Sequence, residues 1–258
     1  MNHPMFSSLL RWMGIEGEPP EISLELTLAA LEAAGVSSAL TSAWHGPDGA
    51  LISNDFVAEI VAASNGRLHG VASVDIRRPV AAARELRRRV QDFGFVGLRL
   101  LPWLWELPPN HRLYYPLYAE CVELDVPFCL QVGHAGPLRP SEPGRPIPYL
   151  DQVACDFPDL KIVAGHIGFP WTSEMISLAR KYENVYIDTS AYRPSRYPEE
   201  LVSYLRKGGR KKVLFGSNYP MLPPALCLAE VPQLGLDQEA TELFLGGNAR
   251  RVFSLPPR

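Results

Sequence analysis

The fold is decided by residues 161–218, which read KIVAGHIGFPWTSEMISLARKYENVYIDTSAYRPSRYPEELVSYLRKGGRKKVLFGSN. This stretch alternates β-rich apolar runs with amphipathic segments: the runs are 161–168, 184–191 and 211–218, and the segments are 173–182 and 198–207. Such alternation is typical of βα units that build a parallel sheet. Pro198 and the Gly208-Gly209 pair mark the expected boundaries of the second helical segment.

The same alternation extends towards the amino terminus. Four further runs predict strands, at 36–44, 68–75, 95–102 and 127–134, and two further helical patterns cover 81–93 and 115–125. Seven strands are visible where a closed barrel has eight, because residues 23–34 already have a helical pattern. We therefore predict an α/β fold, a (β/α)8 TIM barrel whose first strand is missing or irregular, forming a single domain over residues 1–258. Residues 1–20 are expected to form a loop or a short helix.

An open flavodoxin-like sheet is the structural alternative to a barrel. Such a sheet usually has five or six strands and often carries a phosphate-binding loop after its first strand, and neither GxGxxG nor GxxxxGK[ST] occurs here. An uncovered edge at the absent first strand would invite aggregation, so we expect a partner subunit, such as a second copy in a homodimer, or the first twenty residues to cover it.

Composition points to small-molecule chemistry. The formal charge is −3, from 25 basic and 28 acidic residues, so no overall field favours nucleic acid or an anionic membrane. The amino terminus has no secretory pattern and no run approaches the length of a membrane span. The four cysteines are widely spaced without a CxxC pair, which fits reduced thiols and a cytoplasmic location.

Polar and ionisable side chains recur at the carboxyl-terminal ends of the predicted strands. They are Trp44, His45, Asp75, Arg99, His134, His166, Asp188 and Asn218. In a parallel barrel these ends converge on one face, and that face carries the active site. We expect these residues, with Tyr219 beside Asn218, to share one pocket.

The expected catalytic residues are His134, His166 and Asp188. Imidazole suits both proton transfer near neutral pH and metal ligation, whereas a lone loop histidine would simply bond to the backbone. Small residues flank His166 and leave room for a ligand to approach. Asp188 has two open interpretations, a role towards substrate and a structural role in holding the following loop through backbone N–H groups.

The expected substrate contacts are Arg99, Arg145, Trp44, His45, Asn218 and Tyr219. Arg99 either pairs with Asp75 or clamps a substrate carboxylate. Arg145 lies in the stiff SEPGRP segment and is a candidate anion contact. The tryptophans of the PWLW segment, Trp103 and Trp105, form either a lid over an apolar pocket or part of the core.

Five fragments taken together resemble the amidohydrolase-related branch of the metal-dependent hydrolase superfamily. In chain order they are QVGHAGP, VAGHIGFPW, YIDTSAY, VLFGSNYPM and GNARRVF, and it is this ordered set that is specific. The resemblance covers most of the chain from about Val36 onward. It implies a (β/α)8 barrel and a decarboxylase, hydratase or lactonase acting on small carboxylated substrates. It also implies that His134 is a metal ligand and that His166 polarises substrate or water.

Two positions depart from that family pattern. Members typically open with a His-x-His pair on the first strand, which is absent here, and Asn218 stands where the family has an aspartate ligand. A neutral amide is a poor ligand for a transition metal and cannot act as a general base near pH 7. Catalytic zinc normally takes about three protein ligands. We therefore expect either no cofactor or a divalent metal such as zinc held by an incomplete ligand set that includes His134.

Three hypotheses about function follow. The first is a hydrolase, possibly lactonase-like, that acts on a small carboxylated or cyclic substrate through histidine-based proton transfer with little or no metal. The second is a metal-dependent decarboxylase or hydrolase whose amino terminus is truncated. The third is a non-catalytic barrel that serves as a binding or scaffold protein.

Overall fold

The computed structural model describes residues 4–16 and 21–256, in which short strands alternate with helices. The strands are β1 Ala39–Ser42, β2 Trp44–Gly46, β3 Gly49–Ile52, β4 Leu68–Val71, β5 Leu98–Leu100, β6 Phe128–Gln131, β7 Ile162–Gly165, β8 Val185–Asp188 and β9 Val213–Leu214. The helices are α1 Ser7–Trp12, α2 Leu24–Ala33, α3 Asn54–Ala63, α4 Pro79–Phe93, α5 Pro102–Trp105, α6 Tyr115–Glu123, α7 Asp151–Asp156, α8 Thr172–Lys181, α9 Glu199–Arg206, α10 Pro224–Glu230, α11 Gln238–Glu242 and α12 Asn248–Val252.

Seven of these strands run parallel in chain order. Strands β5 to β9 form one sheet, β1 pairs with β4, and a parallel bridge between Ala72 and Leu98 joins β4 to β5. In the described part of the chain no strand precedes α2. The prediction of an α/β barrel with an absent or irregular first strand is confirmed, while residues 1–3 and 17–20 lie outside the described ranges.

One predicted strand is divided in two. The run at 36–44 was expected to be a single strand, but β1 ends at Ser42 and Trp44 begins a separate antiparallel hairpin of β2 and β3. The WHGPDG segment is therefore part of this hairpin, with Pro47 and Asp48 between its two strands. The prediction failed because an apolar run carries no signal for the point at which its hydrogen-bond partner changes.

The two faces of the parallel strands have different neighbours. Ile162, Val185 and Val213 belong to the main core, which includes side chains of the surrounding helices. The alternate residues Val163 and Tyr186 pack instead with Val252 and Phe253 from the carboxyl-terminal end of the chain. Because side chains alternate between the two faces of a strand, the second set faces the barrel interior.

The amino-terminal segment packs at the carboxyl ends of the strands. Met5 and Phe6 are buried against Leu101, Trp103 and Ala135. The backbone N–H of Leu138 donates to Met5 O at 2.9 Å. These contacts place residues 4–12 over the mouth of the barrel. A single cluster of this kind, with two buried apolar side chains, contributes about 3–6 kcal/mol of transfer free energy.

Within residues 4–16 and 21–256 no helix has the length and apolarity needed to cross a membrane.

Candidate active site

Asp188 ends β8 with its side chain directed into the barrel, two residues beyond the inward-facing Tyr186. Its carboxylate accepts hydrogen bonds from the Ser190 hydroxyl at 2.7 Å and the Ser190 backbone N–H at 2.9 Å. Burial raises the pKa of Asp188 above its ordinary value, although those hydrogen bonds and the charge of Arg99 act in the opposite direction. The site therefore favours the protonated form of this carboxyl more than water does.

Two glycines make room for that carboxylate. A methyl group at Gly165, the last residue of β7, would lie 3.2 Å from Asp188 Oδ2. A methyl group at Gly216, two residues after β9, would overlap Asp188 Oδ1. The carboxyl group thus fills space that larger residues on the adjacent strand ends would occupy.

Arg99 is the central residue of the short strand β5, and its register partner on β6 is Cys129. Its Nη1 donates to the Ser42 hydroxyl at 2.9 Å, and its guanidinium carbon lies 5.3 Å from the centroid of the Trp44 ring. Burial lowers the pKa of Arg99, and the charge of Asp188 opposes that shift. The expected ion pair between Arg99 and Asp75 does not form.

His166 follows β7 immediately and has a positive φ of 69°. This left-handed conformation is uncommon for a residue other than glycine and is enriched at functional sites. Burial, together with the positive charge of Arg99, lowers the pKa of His166 to about 3. The imidazole is therefore neutral near pH 7, and its Nε2 is buried without a hydrogen-bond partner among the described residues.

His134 lies on the loop after β6 and is held through its backbone. Its N–H donates to Phe169 O at 2.6 Å, and its carbonyl accepts from Gln131 Nε2 at 2.8 Å. Gln131 Oε1 in turn accepts from Trp103 Nε1 at 2.8 Å, which fixes the orientation of the amide. The His134 ring lies 5.5 Å from the Trp12 ring of α1. The amino-terminal segment thus reaches the site.

The donors in this region do not fit a catalytic divalent metal. In the part of the chain that the structure describes, no group of three or more histidine, cysteine, aspartate or glutamate side chains converges. Asn218 has a φ of 67°, and its backbone carbonyl accepts a hydrogen bond from the N–H of Met221 at 3.0 Å. Since catalytic sites for such metals normally draw on about three protein ligands, no step below passes through a metal. His134 as a metal ligand stays a prediction.

Two of the predicted pocket residues lie elsewhere. His45 and Asp75 line a separate cavity of about 290 Å³ together with residues of α3 and α4, and neither His134 nor His166 borders it. Asp75 pairs with Arg77 through both carboxylate oxygens, at 2.9 and 3.0 Å, rather than with Arg99. The expectation of one pocket for all the strand-end residues is therefore wrong for this pair.

The remaining candidate residues differ in how far they are buried. Arg145 is exposed and forms an ion pair with Glu174 at 2.7 Å, with its guanidinium near the Trp171 ring. Tyr219 follows Asn218 on the loop after β9 and is partly buried. Trp103 and Trp105 are buried, at 2% and 6% exposure, so they form part of the packed interior. The lid interpretation does not fit that burial.

Sequence reasoning missed several residues that hold the site together. Ser42 and Ser190 bind the charged side chains, and Gly165 and Gly216 clear space for Asp188. The available signal was weak. Each of these residues is small and stands within three residues of a predicted strand-end candidate, but small residues are equally common in ordinary turns.

A family profile and a related protein sequence agree on the family to which this chain is similar. The profile of a family described as Amidohydrolase matches residues 16–255. A gamma-resorcylate decarboxylase from a Polaromonas species is 27% identical over 280 residues, covering 91% of this chain and 85% of that protein.

Solved structures agree with the fold. An uncharacterized TIM-barrel protein from Bordetella bronchiseptica superposes with a TM-score of 0.83 and 27% identity, over 96% of this chain and 89% of the other. A dihydroxybenzoic acid decarboxylase from a Polaromonas species, solved with bound manganese and the inhibitor 2-nitroresorcinol, gives a TM-score of 0.70 at 20% identity, over 96% of this chain and 89% of the other. The second likeness concerns the fold alone.

Proposed function

The chain belongs to the amidohydrolase family, and from that premise we propose that it is an enzyme that decarboxylates a small aromatic or cyclic carboxylic acid. The observation that carries this proposal is that the enclosed carboxyl group of Asp188, at the end of β8, and the guanidinium of Arg99, on β5 of the same parallel sheet, are close enough for each charge to act on the pKa of the other. The relationship to a decarboxylase over most of both chains supports this reaction class.

Decarboxylation of an aryl acid requires a proton at the carbon that loses CO2. Asp188 in its neutral form donates that proton to the ring carbon, the bond to the carboxylate breaks, and its electron pair restores the aromatic ring as CO2 leaves. Water then returns a proton to Asp188. Burial favours the neutral carboxyl before the reaction, and general acid catalysis of this kind contributes about 10²–10⁴-fold to the rate.

Arg99 and His166 bind and orient the substrate. A guanidinium that held the departing carboxylate would stabilise the ground state more than the transition state, because CO2 is neutral. Arg99 therefore binds an oxygen that stays on the ring, such as a phenolate or a second carboxylate. His166 remains neutral and offers its unpartnered Nε2 as a hydrogen-bonding group. The low pKa of His166 leaves its imidazole without a proton to donate from a cationic form near pH 7.

Hydrolysis of an activated ester such as a lactone is the second candidate. Among the described residues no set of metal-binding donors converges. This observation favours hydrolysis of an activated ester, because such a reaction needs less assistance from a metal ion. Here ionised Asp188 would accept a proton from water while Arg99 stabilised the developing oxyanion.

The test is turnover in D2O with γ-resorcylate and related hydroxybenzoates, followed by CO2 release and NMR of the product. Decarboxylation predicts CO2 together with one deuterium at the carbon that lost the carboxylate. Ring opening of an aryl lactone such as dihydrocoumarin, without CO2 from the acids, would replace the proposal with the hydrolase. Saturable binding with no turnover of either class would indicate a binding barrel.

The proposed partner is thus a small-molecule substrate, with neither nucleic acid nor membrane involved. All four cysteines are free thiols, which supports the proposed reducing, cytoplasmic compartment. A homodimer remains the proposed assembly.

A further inference from the structure

Arg99 carries the positive charge that acts on the surrounding ionisable groups. Its charge lowers the pKa of His166 and opposes the rise in the pKa of Asp188 that burial causes. Burial raises the pKa of the Cys129 thiol to about 12, and Arg99 opposes that shift as well. Cys129 belongs to β6, His166 follows β7 and Asp188 ends β8, so the charge of Arg99 on β5 reaches groups on the three strands that follow it in the sheet.

The hydrogen-bonding capacity of Arg99 is mostly unused. A guanidinium has five N–H donors, and among the described residues the Arg99 guanidinium makes one hydrogen bond, to the Ser42 hydroxyl. None of the ion pairs among the described residues includes Arg99, so no described carboxylate lies within 4.0 Å of its nitrogens. Arg99 is only partly buried, and its other nitrogens are not among the fully buried polar atoms that lack partners in the described structure.

Arg89 shows what a structural buried arginine looks like in the same chain. It is 3% exposed, and its guanidinium is held by Asp55 at 2.5 Å and by Glu85 at 2.6 Å. The charge of Arg89 is therefore balanced within the protein, as is expected when an ion is removed from water. Arg99 has no such partner among the described residues and retains donors that none of them uses, which is the arrangement of a site for an external anion.

We propose that Arg99 is the resident cation of this site. It supplies the positive charge that a bound divalent ion supplies in metal-dependent active sites, and it binds an oxyanion of the ligand through its free N–H groups. The donor set at the strand ends does not fit a metal, whereas the guanidinium is in place and unpaired. This inference rests on the proposed function only in taking the ligand to be a carboxylate.

The test measures carboxylate binding by calorimetry, using γ-resorcylate, benzoate and citrate as probes. It compares the protein as purified, the protein after dialysis against EDTA, and the same protein with manganese restored. We expect the three preparations to share one Kd, with elemental analysis finding well below one metal ion per chain. One zinc or manganese per chain, with probe binding lost on its removal, would overturn the proposal, as would failure of all three probes to bind.

Substitutions of Arg99 distinguish loss of the guanidinium from loss of the folded structure. Arg99→Met is expected to weaken probe binding by about 30-fold or more, which is the range for truncating one partner of a buried charge pair. Arg99→Lys keeps the charge but loses the planar fork, and we expect about a tenfold loss. Arg180→Met is the matched control, because Arg180 is exposed on α8 beside Tyr204. If Arg99→Met fails to fold, Arg99→Gln takes its place, because it also removes the charge, and unchanged affinity in a folded Arg99→Gln protein refutes the proposal.

The outcome is distinguishable from that of the proposed function. Metal-independent binding that requires Arg99, without any decarboxylation, would leave this inference standing while the proposed reaction fell. Decarboxylation that requires a stoichiometric metal would do the reverse.

Discussion

The substitution Gly216→Ala tests whether the position of the Asp188 carboxylate controls the rate. A methyl group at residue 216 would overlap Asp188 Oδ1 and would lie 2.9 Å from Ser190 Cβ and 3.1 Å from Ser190 N. Carbon and its neighbours prefer separations of about 3.5–4.0 Å, so the carboxylate must retreat by roughly 1 Å. The change adds no charge and removes no hydrogen-bonding group.

The expected magnitude follows from that displacement. A misplacement of about 1 Å at a reacting group costs on the order of 10² in rate, so kcat/KM for decarboxylation should fall about 100-fold. Forcing an extra methyl group into a packed interior also costs about 1–3 kcal/mol in the free energy of unfolding. Thermal unfolding must therefore accompany the kinetics, to show that the variant is folded at the assay temperature.

Two further glycines give a graded series. At Gly165 a methyl group would lie 3.2 Å from Asp188 Oδ2, so Gly165→Ala should produce a smaller loss than Gly216→Ala. At Gly136, near the mouth of the barrel, the nearest atom to a methyl group is Leu9 Cδ1 at 3.7 Å, which is an ordinary contact. Gly136→Ala should therefore leave kcat/KM unchanged. A folded Gly216→Ala variant with the wild-type rate would refute the placement of Asp188 at the reacting centre.

Four other substitutions, in three experiments, have defined outcomes. The folded-state pKa of His166 is lowered to about 3, so its stabilising effect is present above the unfolded value of about 6.5 and is lost as the pH falls. In urea titrations, wild type should lose up to about 2 kcal/mol more than His166→Asn between pH 7 and 5, and equal losses would contradict that pKa. Trp103 Nε1 donates to Gln131, whereas Trp105 Nε1 is buried without a hydrogen-bond partner in the described part of the chain. Trp103→Phe should therefore cost about 1–3 kcal/mol more in the free energy of unfolding than Trp105→Phe, and equal costs would show that the bond contributes nothing. Trp12 is 65% exposed yet lies beside His134, so Trp12→Ala should change stability by less than about 0.5 kcal/mol while altering KM. A large drop in melting temperature would instead assign Trp12 to the core.

The parallel strands could be predicted because their signal is local. Residues 162–165 and 185–187 are continuous apolar runs, and such runs are typical of strands covered on both faces. The rule that the carboxyl ends of parallel strands converge predicts that Arg99, His166 and Asp188 lie near one another. Their mutual effects on pKa in the structure agree with that placement.

What could not be predicted depends on contacts between distant parts of the chain. The hydroxyl of Ser8 donates to Gly136 O at 2.6 Å across 128 residues, and no periodicity in the first sixteen residues foretells it. Asp75 was assigned to the shared pocket because it ends an apolar run, but the neighbouring Arg77 draws its carboxylate into a local ion pair. Glycines such as Gly216 have a role only in relation to the side chain that they admit.

The most direct test of the central claim is the rate of CO2 release by Asp188→Asn compared with wild type. Asparagine keeps the size of the side chain but cannot carry the proton, so we predict a loss of at least about 100-fold in kcat. The pKa of Asp188 is raised in the folded protein, so folding favours the neutral carboxyl. The contribution of this group to the free energy of unfolding is therefore present at low pH and is lost as the pH rises through the folded-state pKa. The variant should therefore be at least as stable as wild type near neutral pH. A folded Asp188→Asn protein that releases CO2 within about twofold of the wild-type rate would contradict the assignment of Asp188 as the proton donor.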